Sequence, residues 1–138
     1  DYLQRLSTNL IHSYSTPDCE VTLQSAFEDV YLTLDQAIPS GLIVNELVSN
    51  SLKYAFKGRK RGVVFLRVAK IEGRIEIEVR DDGVGLPDDF SLNKNESLGL
   101  YLIQALSEQL EAELVVESTK DGRKGSSFLI SFEAHNLT

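Results

Sequence analysis

The sequence carries one cysteine in 138 residues. Cys19 has no internal disulfide partner and a cysteine-based zinc site is excluded, so a buried strand residue is the simplest role for it. No apolar run approaches the roughly 20 residues of a membrane span, and no secretory pattern opens the chain. The expectation is a soluble, cytoplasmic segment. A basic excess is missing as well: 14 Lys and Arg stand against 21 Asp and Glu, for a formal net charge of -7. A general nucleic-acid binder needs a basic face to displace counterions, so that class is set aside. An acidic domain that takes an anionic ligand must do so locally, with a metal ion, backbone amides or a few placed cations. The Walker phosphate loop and the dinucleotide-binding glycine pattern are both absent, which excludes the common folds built on them.

What is present suits one globular domain: 42% hydrophobic and 25% charged residues, in a chain long enough for a real core and short for two. The organising stretch is Pro39 to Phe56, PSGLIVNELVSNSLKYAF. Its spacing predicts a helix, apolar over a wide arc through Ile43, Val44, Leu47, Val48, Leu52, Ala55 and Phe56. Glu46, Asn50, Lys53 and Lys57 recur along a narrow polar stripe on one face. A solvated face would suffice to explain such a stripe on a lone helix.

Before it, Leu3, Leu6, Leu10 and Tyr14 have helical spacing, ended by Ser15-Thr16-Pro17-Asp18. The alternation of Cys19–Phe27 predicts a strand, and that of Val30, Leu32 and Leu34 a second, short one. After the central helix, Lys57–Gly62 reads as a basic loop. Val63–Ile71 and Arg74–Asp81 read as an antiparallel hairpin about Glu72-Gly73. In the returning strand Ile75, Ile77 and Val79 share a face, and the period carries Asp81 to the same side. A carboxylate aimed at the core is costly, so it needs a partner; capping the turn at Asp82-Gly83 is the plainer alternative. Gly83-Val84-Gly85 permits close approach of a ligand.

Leu86 to Glu96 is polar and aperiodic, as in a functional loop or lid. A helix is predicted from Ser97 to about Leu110, with Gly99 in its first turn, where an anion can approach the amides. Strands Glu113–Thr119 and Ser126–Glu133, joined through Lys120–Gly125, finish the chain. The order implies an α+β, two-layer sandwich: a mixed, mostly antiparallel sheet covered on one face by helices.

The boxes resemble those of the GHKL ATPases, the superfamily of gyrase, the ninety-kilodalton heat-shock chaperone, histidine kinases and mismatch-repair proteins. Asn45-Glu46-Leu47-Val48-Ser49-Asn50-Ser51-Leu52-Lys53-Tyr54 is similar to their N-box. Asp81-Asp82-Gly83-Val84-Gly85-Leu86 is similar to the first glycine box, Ser97-Leu98-Gly99-Leu100 to the second, and Gly125-Ser126-Ser127-Phe128 to the Gly-Thr-x-Phe strand. The wording Ile38-Pro39-x-Gly41-Leu42-Ile43-Val44-Asn45-Glu46-Leu47 resembles sensor histidine kinases whose N-box reads Asn-Glu-Leu. The likeness runs from about residue 19 to 133. It implies the ATP-binding (Bergerat) fold over residues 18–138, and residues 1–17 as the end of an upstream dimerisation helix or connector.

The resemblance further implies that Mg2+ is held through Asn50, with Glu46 as a second ligand or as the group that polarises the attacking atom. Lys53 would approach the phosphates, and Asp81 would accept from the adenine amine. Gly83 and Gly85 would let the backbone pass the nucleotide. Leu98, Gly99 and Leu100 would offer amides to the phosphates, and Ser126 would stand near the base. Asn45 lies off the stripe, in a structural place. The implied activity is transfer of the γ-phosphoryl of ATP to a histidine on an upstream domain. The full protein would be a homodimer that passes the phosphoryl to a response regulator. His12 and His135 lie in no phosphoacceptor context, so the chain reads as the ATP-binding part of a longer kinase. Ser97 departs from the family's usual glycine. An anti-sigma-factor-type serine kinase and a non-catalytic nucleotide-controlled module stay open as alternatives.

Overall fold

The computed structural model describes residues 5, 8, 9, 12, 20–28, 30, 32–55, 60–83, 98–119 and 125–134. The elements are β1 (Glu20–Phe27), α1 (Leu34–Asn50), a π-helical turn (Ser51–Ala55), β2 (Arg61–Ile71), β3 (Arg74–Asp81), α2 (Leu98–Gln109), β4 (Glu113–Thr119) and β5 (Gly125–Glu133). The strands form one five-stranded sheet in the order β1-β2-β3-β5-β4. β1 runs parallel to β2, and the other pairs are antiparallel. Arg5, Thr8, Asn9 and His12 are helical and exposed.

Period-two alternation sorts the sheet into two faces. Val64, Leu66, Val68, Ile75, Ile77, Val79, Phe128, Ile130 and Phe132 are buried together with Ile43, Val44, Leu47 and Val48 of α1 and Ile103 of α2. The predicted α+β sandwich is the fold observed, with α1 and α2 on one face. The opposite face is polar. Arg67 bridges Glu76 at 3.1 Å and Glu78 at 3.2 Å, and the Arg80 guanidinium lies 4.4 Å from the centre of the Phe65 ring. Burial works against the Arg67 charge, but the hydrogen bonds and charges of Glu78 and Glu76 outweigh it and raise its pKa.

Three predicted features changed. Val30, Leu32 and Thr33 form no strand; Val30 and Leu32 instead pack half-buried on the core. The β1–β2 ladder ends at Phe27↔Val68, so the segment beyond has apolar alternation but no ladder partner. Helix α1 starts at Leu34, five residues before Pro39 and one turn earlier than predicted. Thr33, extended at φ -68° and ψ 163°, is the N-cap residue, and its carbonyl accepts from the Gln36 and Ala37 amides. Pro39 thus lies inside the helix, where it forgoes one hydrogen bond near the end that has fewest to lose. Buried Gln36 donates from Nε2 to the Glu133 carbonyl at 2.9 Å and ties that first turn to β5.

Arg61 and Gly62, predicted in the basic loop, extend β2, because β1 offers partners at Glu20 and Val21. Helix α2 ends at Gln109, next to the predicted Leu110, and does so without a glycine. Glu111 takes φ 54°, and the Ala112 amide reaches back to the Ser107 carbonyl at 2.8 Å, a left-handed closure usually given to Gly or Asn. The hairpin Glu72-Gly73 is as predicted, with φ of 52° and 81°, the positive pair that a tight two-residue turn requires. Cys19 and the predicted lid Leu86–Glu96 lie outside the described residues, as do Phe56 and Lys57.

Candidate nucleotide site

The site grows from the end of β3. Ile75 and Ile77 are 0% exposed and Val79 is 1%, and the same alternation carries Asp81 inward at 4%. Its carboxylate is surrounded by donors. Ser126 Oγ donates to Oδ2 at 2.7 Å, Ser51 Oγ donates to the same oxygen at 3.1 Å, and the Gly83 amide donates to Oδ1 at 2.9 Å. A carboxylate only accepts, so both hydroxyls must be the donors. Among the described residues no cation pairs with Asp81. Sheet register explains the Ser126 contact, since Asp81↔Ser126 are directly opposed in the β3–β5 ladder.

Backbone packing holds this corner. A Cβ on Gly125 would collide with the Asp81 carbonyl oxygen, at a backbone φ of 151° that side chains rarely adopt. The neighbouring Asp82 carboxylate turns back to accept the Val63 amide at 2.8 Å, while the Asp82 amide donates to the Val63 carbonyl at 3.2 Å. The doublet divides the work: one carboxylate faces the interior, and the other closes the end of the β2–β3 ladder. Asp82→Ala should leave the Val63 amide without its acceptor and lower stability by about 1–2 kcal/mol. Urea unfolding checks this, with a shifted midpoint and an unchanged slope.

The N-box supplies the layer above. Asn50 ends α1, and Glu46 lies one turn earlier; both are half-buried. From Ser51 the chain winds as a π helix to Ala55. The wider turn changes the phase, so the α-helical stripe does not continue unbroken through Lys53. Lys53 is exposed. Ser51, which sequence spacing alone gave no role, is buried and joined to Asp81. π turns of this kind recur at functional sites. Asn45, off the stripe, is half-buried.

Leu98, Gly99 and Leu100 open α2, within the helix that spacing predicts from Ser97, and Leu100 packs against the core. Gly85 and Ser97 lie outside the described residues. The structure therefore brings together Asp81, Gly83, Ser126 and, through its neighbour Ser51, Asn50. Among the described residues no cluster of three or more His, Cys, Asp or Glu could hold a metal by itself, and no helix is long and apolar enough to cross a membrane.

The corner is thus a buried acceptor carboxylate at a strand end beneath α1. The profile of the family described as "Histidine kinase-, DNA gyrase B-, and HSP90-like ATPase" matches residues 35–136. The chain belongs to this family of ATP-binding domains. It is 34% identical over 116 residues to "Blue-light-activated histidine kinase 2" of Erythrobacter litoralis, covering 83% of this chain and 33% of that protein. It is also 34% identical over 92 residues to "Sensor histidine kinase PdtaS" of Mycobacterium tuberculosis, covering 65% of this chain and 18% of that protein. The chain thus spans a third or less of the length of these relatives. Among solved structures, the histidine kinase domain of an Erythrobacter litoralis blue-light-activated histidine kinase superposes with a TM-score of 0.85 at 30% identity, over 96% of this chain and 59% of that one. Fold and relatives together make this an ATP-binding domain of the sensor histidine kinase type.

Proposed function

We propose that this domain binds Mg-ATP between the Asp81 corner and the N-box, and passes the γ-phosphoryl to a histidine on a dimerisation hairpin upstream in the same protein. The observation that carries the reading is Asp81, 4% exposed and held by neutral donors. Burying a carboxylate costs several kcal/mol, and an acceptor kept at that cost suits a ligand donor such as the exocyclic amine of adenine. Ser126 supports the same end of the base. Gly83 and Gly85 let the backbone run close to the nucleotide. The first turn of α2, Leu98, Gly99 and Leu100, presents the positive end of a helix to the phosphates, and exposed Lys53 adds a cation.

Asn50 and Glu46 fit a hard cation by their chemistry: two oxygen-bearing side chains one helical turn apart, both half-buried. Mg2+ favours one or two protein oxygens together with substrate phosphates and water, which suits a site without a cluster of metal-binding side chains among the described residues. Bound there, the ion would neutralise charge on the phosphates. The protein's own contribution is positioning and desolvation, the main levers in phosphoryl transfer. Glu46 would be the second ligand or would polarise the attacking nitrogen. Residues 1–17 would then be the end of the upstream hairpin or its connector, and 18–138 the catalytic domain. The whole protein would be a homodimer, with this domain in the cytoplasm, that hands its phosphoryl to a response regulator.

Two measurements test this. Asn50→Ala should weaken Mg-ATP binding by at least about tenfold, as changes around bound metals commonly do, and leave metal-free nucleotide binding nearly unchanged. Incubation with radiolabelled Mg-ATP and the phosphoacceptor domain of a similar sensor kinase should yield acid-labile, base-stable phosphate on histidine. Acid-stable phosphate on serine would instead support the anti-sigma-factor-type alternative.

A further inference from the structure

We propose that Ser51 is a positioning residue for base recognition, locking the Asp81 carboxylate so that one lone pair of Oδ1 faces the nucleotide base. The inference rests on the reading of Asp81 as the adenine acceptor and adds a determinant from a different layer of the fold. A carboxylate has four acceptor positions, two on each oxygen. The Ser51 and Ser126 hydroxyls fill both on Oδ2, at 3.1 and 2.7 Å. The Gly83 amide takes one on Oδ1, at 2.9 Å. Among the described residues nothing else donates to Oδ1, and we assign its second position to a ligand N–H.

The sources of these donors differ. Ser126 sits on β5 directly opposite Asp81, and Gly83 follows β3 two residues on, so both move with the sheet. Ser51 comes from the helix layer, at the first residue of the π turn, and is 8% exposed. It is therefore the described link that fixes the carboxylate's rotation relative to the helices. It is also the chain neighbour of Asn50, the residue given to the metal and phosphate end. One hydroxyl thus sets the spacing between the base acceptor and the phosphate end of the nucleotide. Without it, Oδ2 keeps a single side-chain donor and the carboxylate can rotate toward Ser126, turning the Oδ1 lone pair off the base amine.

The test compares two nucleotides in calorimetric titration: ATP and purine riboside triphosphate, which lacks the 6-amino group. Wild type should prefer ATP by at least about tenfold, the worth of a hydrogen bond to a charged group. Ser51→Ala should weaken ATP by about tenfold and the amine-free analogue by less than about twofold, so the preference collapses. Ser51→Thr, which keeps the hydroxyl, should restore it. Circular dichroism and melting of each variant establish that it is folded.

Equal weakening of both nucleotides by Ser51→Ala would mark a merely structural contact and overturn the proposal. So would an unchanged preference in Ser51→Ala. A folded wild type that binds both nucleotides equally would overturn the assignment of Asp81 as base acceptor, and the proposal with it. The failure of Ser51 and the failure of Asp81 are thereby read separately.

Discussion

Gly125→Ala is expected to lower stability by about 2–4 kcal/mol, the range for forced overpacking together with an unfavourable backbone angle. The added Cβ would meet the Asp81 carbonyl oxygen and also come within 3.4 Å of the Asp82 Cα. These are backbone atoms, so no flexible side chain can swing aside. The β5 strand must retreat at its first residue, where Thr119↔Gly125 and Asp81↔Ser126 pair. At roughly 2–8 °C per kcal/mol for a domain near this size, the melting temperature should fall by about 10 °C. ATP affinity should fall as well, because the retreat draws Ser126 from Asp81. A variant that melts within about 2 °C of wild type and binds ATP normally would show that the corner yields easily, contrary to the packing described.

Asp81→Asn has the largest expected effect on binding. The amide is nearly isosteric, and the Ser51 and Ser126 hydroxyls can rotate to accept from its NH2 group, so the domain should fold. What it loses is charge on the acceptor. A hydrogen bond to a charged group contributes about 1.5–3 kcal/mol, so ATP should bind up to about a hundredfold more weakly. Calorimetry on a folded variant checks this; affinity within about threefold of wild type would place the base elsewhere.

Much of this site is visible in residue order because it is built on strict periods. Asp81 points inward for the same reason as Ile75, Ile77 and Val79, and Ser126 for the same reason as Phe128 and Ile130. The hairpin turn needed only Glu72-Gly73. Ser51 escaped because it lies on the buried arc one turn past Leu47, but its partner Asp81 is 30 residues away, a contact that helix spacing does not show. The start of α1 escaped because Pro39 looked like a first-turn proline, whereas the backbone begins its winding at Thr33. The false strand at Val30–Leu34 had alternation without a neighbour to pair with. Alternation reports which side chains are buried, while a strand also requires a ladder partner.

The central claim is that the Asp81 corner is a nucleotide site. The most direct measurement is isothermal titration of this domain with a non-hydrolysable ATP analogue, with and without Mg2+. The expected result is saturable one-to-one binding that Mg2+ strengthens and that Asp81→Asn removes over the same concentration range. A cooperatively folded wild-type domain that gives no binding heat at any temperature tried, with nucleotide in the millimolar range, would contradict it.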